Sequence, residues 1–366
     1  MKHSFMILAL LLGGLTLSAQ SPFTVNGHIK GLPDGQIYLA YGSYATMKAD
    51  TVLAANGDFV FKGTVEEPSY AMLFTHDFST KIDLFIDKGA VTIRGDVDSF
   101  YDYHVSGPAA TNDYAAYNQA QLDLRKPVQV VYSKMLDAYK AGDSAALKGY
   151  KVEYDTAFHA QSVAARALQR RYIAEHTRSY GAAWELMHYL DGNNLAESQK
   201  LFDALDPAVQ QSIQGKEVSS RLQLLAGVEV GKPAPNFTEN DLADHPVSVA
   251  DYKGKYVLVE FWASWCGPCR AESPNLKVAY GKYNAKGFNV LAVSLDSKKD
   301  LWAEAVQKDG LPWTQVSDLK GWKNDAAALY GVHAVPANFL VGPDGKIVAR
   351  DLRGEALGKK LAELFP

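Results

Sequence analysis

The sequence predicts a multidomain protein: an all-β sandwich-like domain, then an α-helical domain, then an α/β domain. Short alternating apolar runs separated by turn residues fill 22–105. Ala, Gln, Tyr, Lys and Leu then dominate 107–226, with helical character. From about 228 the pattern becomes βαβ and then ββα, a layered design around a mixed sheet. A chain of 366 residues accommodates two or three domains. The compositional shifts set the expected boundaries at 1–20 (export segment), 21–106 (β-rich), 107–227 (helical) and 228–366 (α/β).

In order along the chain, Lys2 and His3 give a polar start, 5–17 is apolar, and Ser18-Ala19-Gln20 supplies small residues for cleavage. The run is shorter than a membrane span needs, and the alternative to a cleaved signal is an uncleaved anchor. No cysteine follows it, which excludes lipid attachment there. Strands are expected at 23–25, 36–40, 58–61, 71–74, 81–86 and 90–94. Turns at Leu32-Pro33-Asp34-Gly35, Asn56-Gly57-Asp58 and Asp87-Lys88-Gly89 separate them. His28, His76 and His104 are isolated and read as surface or structural residues.

In the helical segment Asp143-Ser144 caps a long helix to about 175; others are expected at 180–190 and 195–205, with Pro207 in the first turn of the next. Gly231-Lys232-Pro233-Ala234-Pro235 marks a linker. A strand or hairpin is expected at 236–249, a buried strand at 256–262, a helix to about 285 and a buried strand at 288–295. Helices at 299–308 and 325–330 follow. Strands 337–341 and 346–350 pair across Gly342-Pro343-Asp344-Gly345, and a helix at 354–365 closes the chain.

Net charge is −4 with a pI near 6.1, and no basic stripe appears, so nucleic acid is not an indicated partner. The chain has two cysteines, Cys266 and Cys269. A bridge between them closes a loop too short to constrain the unfolded chain much, so a redox-active pair explains them better than a structural staple. A metal site is not indicated, because His333 is the one candidate partner near the pair and a structural zinc site wants four spaced ligands.

Cys266 stands where a strand hands over to a helix. The unpaired N–H groups of a first helical turn favour a thiolate, the attacking species in disulfide exchange. Cys269 follows one turn later, placed to resolve a mixed disulfide on Cys266. Gly267 and Pro268 separate the two, and Pro268 stiffens the turn without needing an N–H. Glu260 is an ionisable residue inside an apolar strand. Buried, it would have a raised pKa and could exchange a proton with Cys269; alternatively it faces solvent or pairs with a lysine. Glu272, six residues after Cys266, either tunes the cysteines or benefits from the helix N-terminus. Pro274 should kink the helix. Val335-Pro336 precedes a strand where a cis proline can shape a tight turn, leaving the Val335 backbone to pair with an extended substrate.

Phe261-Trp262-Ala263-Ser264-Trp265-Cys266-Gly267-Pro268-Cys269 resembles the active-site signature of the thioredoxin family, with Trp265 before the first cysteine. Glu260 falls where thioredoxins carry a buried aspartate, Pro274 matches their kink proline and Pro336 their cis proline. Gly231-Lys232-Pro233-Ala234-Pro235-Asn236-Phe237, the segment 296–313, Glu272 and Asn338-Phe339-Leu340-Val341-Gly342-Pro343-Asp344-Gly345-Lys346 resemble the exported TlpA-like branch. Many members of that branch carry other residues between the cysteines, and thioredoxins commonly have Thr or Ile where Val335 stands.

The resemblance implies an exported, periplasmic thiol–disulfide oxidoreductase that reduces disulfides of exported proteins and serves cell redox homeostasis. Cys266 would be the nucleophile, Cys269 the resolving thiol and Glu260 the proton-exchanging group. No dissociable cofactor is implied. The implied partners are disulfide-containing exported proteins and a membrane thiol-reducing electron donor. An oxidant or isomerase, a thiol peroxidase, and a partner-binding module with a secondary redox pair are the rival readings. The Pro-x-x-x-Thr-x-x-Cys setting of peroxiredoxins is absent.

Overall fold

The structure is a computed structural model, and it describes residues 20–98 and 103–366. Apart from Gln20, the expected export segment lies outside the described residues. The chain divides into two compact units. One runs through Tyr189 and includes Leu201–Val218; the other is Leu190–Lys200 with Ser219–Pro366.

The first unit opens with eight strands: β1 (Ser21–Lys30), β2 (Gly35–Gly42), β3 (Lys48–Ala54), β4 (Asp58–Val65), β5 (Ser69–Thr75), β6 (Lys81–Ile86), β7 (Gly89–Asp96) and β8 (His104–Ser106). They form two four-stranded sheets, ordered β4-β1-β7-β8 and β3-β2-β5-β6. Alternation along each strand sends Val25, Ile29, Leu39, Phe61, Leu73 and Ile93 into one shared core. Gly57 takes φ +82° in the turn before β4, where a Cβ would meet the Ile29 carbonyl oxygen at 2.4 Å. Only glycine fits there.

Two long helices follow, α1 (Ala109–Lys140) and α2 (Ser144–Glu175), then α3 (Tyr180–Tyr189), α4 (Leu195–Asp203), α5 (Pro207–Gln210) and α6 (Ile213–Gly227). The Asp143 carboxylate caps α2 by accepting the Ala146 N–H at 2.9 Å. Buried Glu185 of α3 accepts the hydroxyls of Tyr114 (2.8 Å) and Tyr117 (2.9 Å), fixing α3 against α1. Trp184 stacks on Tyr70 of β5 at 3.9 Å between ring centroids.

The second unit holds β9 (Thr238–Asp241), β10 (Pro246–Ser248), β11 (Tyr256–Trp262), α7 (Gly267–Tyr283), β12 (Phe288–Ser294), α8 (Lys299–Asp309), β13 (Thr314–Ser317), α9 (Asp325–Leu329), β14 (Ala337–Val341), β15 (Ile347–Arg350) and α10 (Gly354–Leu364). Its seven strands form one mixed sheet ordered β10-β9-β13-β12-β11-β14-β15. β11 is parallel to β12 and antiparallel to β14. Every residue from Val257 to Trp262 is buried, as expected of a strand covered on both faces. The Gly342–Gly345 turn closes the β14–β15 hairpin through a Gly345 N–H to Gly342 carbonyl bond of 2.9 Å.

Three differences from the sequence expectation have physical causes. β3 was not expected because Lys48, Asp50 and Thr51 give an edge strand little apolar signal. β13 is four residues long, and its buried Gln315 looks polar in sequence; the Gln315 side chain accepts the Trp262 Nε1–H at 3.0 Å. The helix expected to reach about 285 ends at Tyr283, and a 3-10 turn, Asn284–Lys286, completes it.

Candidate active site

β11 delivers the chain to the site. Past Trp262 the backbone is held to the next strand, with the Leu295 N–H donating to the Trp262 carbonyl at 2.8 Å. Ser264 is fixed twice by one carboxylate: Asp296 accepts its N–H at 2.9 Å and its hydroxyl at 2.6 Å. Asp296 also accepts the Ser294 hydroxyl at 2.7 Å and is 2 % exposed. A buried carboxylate needs such donors, and here they clamp the turn that carries the cysteines.

Cys266 is the N-cap of α7, and its sulfur accepts the Cys269 N–H at 3.2 Å. Gly267 and Pro268 fill the first turn, and Pro274 lies inside the helix. The two sulfurs are joined at 2.01 Å, with Cα atoms 5.3 Å apart. Cys266 is 4 % exposed and Cys269 is 1 % exposed, so both members of the pair are buried. Arg270 forks onto Asp309 of α8 at 2.8 and 2.7 Å, and Lys277 donates to the Asp309 carbonyl at 2.7 Å. These bonds anchor α7 to the C-terminus of α8.

Glu260 sits in register with Ala292 on one side and Asn338 on the other, in the middle of the sheet. It is 6 % exposed, which removes the solvent-facing alternative. Burial, and secondly the charge of Glu272, push its carboxyl up to about 8. Glu272 itself accepts the Gly354 N–H at 2.6 Å and the Asn275 side-chain amide at 3.1 Å. Its charge is therefore held at the N-terminus of α10, where the helix dipole favours an anion.

The Val335-Pro336 peptide is cis. Ala337 pairs with Phe261, so Pro336 lies beside the C-terminal end of β11, the end that carries Cys266. The Pro336 carbonyl accepts a bond from Arg353. His333 is exposed. Among the described residues no group of three or more His, Cys, Asp or Glu side chains is placed to hold a metal.

Sequence reasoning missed Asp296, Arg353 and Trp322. Trp265 and Trp322 are both half-exposed, and their rings meet at 5.8 Å between centroids. It also missed Glu239 of β9, whose buried carboxyl accepts the Asn324 amide at 2.8 Å and is pushed up to about 7, chiefly by burial. An acid inside a strand was the available signal for Glu239, as it was for Glu260.

The AhpC/TSA family model matches 230–350, and the domain-of-unknown-function model DUF4369 matches 23–114. The thiol-disulfide oxidoreductase ResA of Bacillus thuringiensis subsp. konkukian is 34% identical over 136 residues, covering 37% of this chain and 76% of that protein. The chain belongs to the ResA-like thiol-disulfide oxidoreductases of the AhpC/TSA family. ResA of Geobacillus thermodenitrificans is 34% identical over 120 residues, 33% of this chain and 67% of that protein. The thioredoxin domain of a Bacteroides vulgatus thiol-disulfide oxidoreductase is 38% identical, covering 37% of this chain and 98% of that one, with a TM-score of 0.35. In this thiol-disulfide oxidoreductase, the thioredoxin fold lies in the second unit, and an all-β segment and a helical region precede it.

Proposed function

We propose that the protein is an exported, periplasmic reductant of protein disulfides, with Cys266 as nucleophile and Cys269 as resolving thiol. The observation that carries the direction is the acidity of the site. The group bonded to the Cys266 sulfur is a backbone N–H, and the acids Glu260 and Glu272 lie on the adjoining strand and helix. Arg270, the nearest cation along the helix, is engaged by Asp309. A strong oxidant needs a strongly stabilised reduced form. One helix N-terminus, with Glu272 on the same helix and Arg270 engaged by Asp309, stabilises a thiolate only modestly, which favours a reducing pair.

In the forward reaction the Cys266 thiolate attacks one sulfur of a substrate disulfide. The substrate S–S bond breaks, a Cys266–substrate disulfide forms, and the leaving sulfur takes a proton. Cys269 then gives up its proton and attacks the Cys266 sulfur. The Cys266–Cys269 bond forms and the second substrate thiolate leaves. Two electrons pass from the dithiol to the substrate. Glu260 is the group proposed to exchange the proton with Cys269. A membrane thiol-reducing system is the proposed donor that restores the dithiol.

The test is the reduction potential of the Cys266–Cys269 pair, equilibrated against dithiothreitol or glutathione. A value near that of thioredoxin, about −270 mV, supports the reductant. A value near that of DsbA, about −120 mV, overturns it in favour of disulfide donation.

A further inference from the structure

We infer that Trp322 and Trp265 together form a docking platform for an extended substrate segment that bears an apolar side chain two residues from its reacting cysteine. The inference rests on the reading that Cys266 attacks protein disulfides.

Trp265 is covalently next to Cys266, and its indole is half-exposed beside the turn that carries the sulfur. Trp322 arrives from a separate element, the 3-10 turn Gly321–Lys323 between β13 and α9. The two rings lie 5.8 Å apart at 50°. Trp265 is 54 % exposed and Trp322 is 53 % exposed, while Trp184, Trp262, Trp302 and Trp313 are all buried. Tryptophan exposure is thus confined to two residues whose rings lie close together, one of them next to Cys266 in sequence. Half-exposed indoles beside a reactive group have the composition of an interface anchor rather than of ordinary surface.

The turn that carries Trp322 is held in place. Asn324 caps α9 through the Ala327 N–H at 2.7 Å, and its amide donates to Glu239 and to Asp318, each at 2.8 Å. Lys320 bonds Asp325 and lies 3.5 Å from Asp318. Gly321 takes φ +60°, a conformation other residues adopt at a cost. An indole presented from a fixed turn loses little freedom when a partner covers it.

The spacing selects the ligand. An extended chain advances about 3.3 Å per residue, and side chains two apart share a face about 6.6 Å apart. That step matches the 5.8 Å between the rings. A polypeptide whose cysteine meets Cys266 beside Trp265 can therefore set the side chain two positions away over Trp322. A small disulfide has no atoms to place there.

The probes are two extended peptides, each carrying its single cysteine as a mixed disulfide with thionitrobenzoate. They differ only in Leu or Ser two residues to either side of that cysteine. The pre-reduced full chain is assayed with each. The wild type is expected to react with the Leu peptide about tenfold faster, read as the second-order rate constant for thionitrobenzoate release, the equivalent of about 1.4 kcal/mol. Trp322→Ala should bring the ratio close to one, and Trp322→Phe should restore part of it. Turnover of the Ser peptide shows that each variant is folded and active. Equal wild-type rates for the two peptides, or a preference that survives in Trp322→Ala, overturn the platform and leave the reductant standing. Failure of the wild type to reduce either peptide overturns the proposed function and the platform with it.

Discussion

Replacing Glu260 with Gln should remove a pH dependence from the stability of the second unit. The folded carboxyl is raised from 4.5 to about 8, and in the unfolded chain it returns to the lower value. Between those values the folded state holds a proton that the unfolded state has lost, so stability falls as pH rises. The loss is about 3 kcal/mol between pH 4.5 and 7 and approaches about 5 kcal/mol above pH 8. Glu260→Gln carries no such proton, so its advantage over the wild type should grow by these amounts. The assay is urea unfolding of the oxidised protein from pH 5 to 9, followed by tryptophan fluorescence. Five of the six tryptophans lie in the second unit, so the signal reports on it. The oxidised cysteines do not titrate. Glu239, raised to about 7, adds a slope of the same sign, but it is present in both proteins and cancels in the difference. Parallel stability curves for the two proteins across this range would refute the assignment of a buried, protonated Glu260.

Two further outcomes follow from the turn. Cys266→Ser should abolish disulfide reduction, whereas Cys269→Ser should trap a Cys266–substrate mixed disulfide detectable by mass; accumulation of that adduct in neither variant would refute the division of roles. Asp296→Ala removes three hydrogen bonds to a buried carboxylate and should destabilise the second unit by about 2–4 kcal/mol in urea unfolding. A loss under about 0.5 kcal/mol, the range of ordinary surface substitutions, would refute the clamp.

The sequence was most informative where local chemistry and local structure coincide. Cys266 as N-cap, Pro268 in the first turn and the apolar run of β11 each have a short-range reason, and each stands where it was expected. α2 likewise begins after its Asp143 cap and ends at Glu175. What escaped notice depends on neighbours distant in sequence. Asp296 looks like any loop aspartate until β12 lies beside β11 and brings it to Ser264, 32 positions earlier. Arg353 matters because α10 starts next to the cis proline, and Trp322 because its turn reaches Trp265. Gln315 is polar by type and buried by partnership with Trp262. In each case the signal is a contact made by sheet order, which no periodicity encodes.

The pairing of Glu260 with Glu272 gives the site its proton logic. Two neighbouring carboxyls do not both ionise readily, and the one with better donors keeps the charge. Glu272 has the Gly354 N–H and the Asn275 amide, while Glu260 has a dry sheet interior. Burial, and secondly the neighbouring Glu272, therefore keep the proton on Glu260 up to about pH 8. A carboxyl at about 8 lies close to the ordinary thiol value of about 8.5. The proton exchange proposed between Glu260 and Cys269 would then run nearly level in either direction, the condition under which acid–base catalysis near neutral pH is most effective. A carboxyl left at 4.5 would be a base too weak by about four powers of ten to take the proton from a resolving thiol. The burial that destabilises this strand above neutral pH is thus the same feature that brings its carboxyl level with an ordinary thiol.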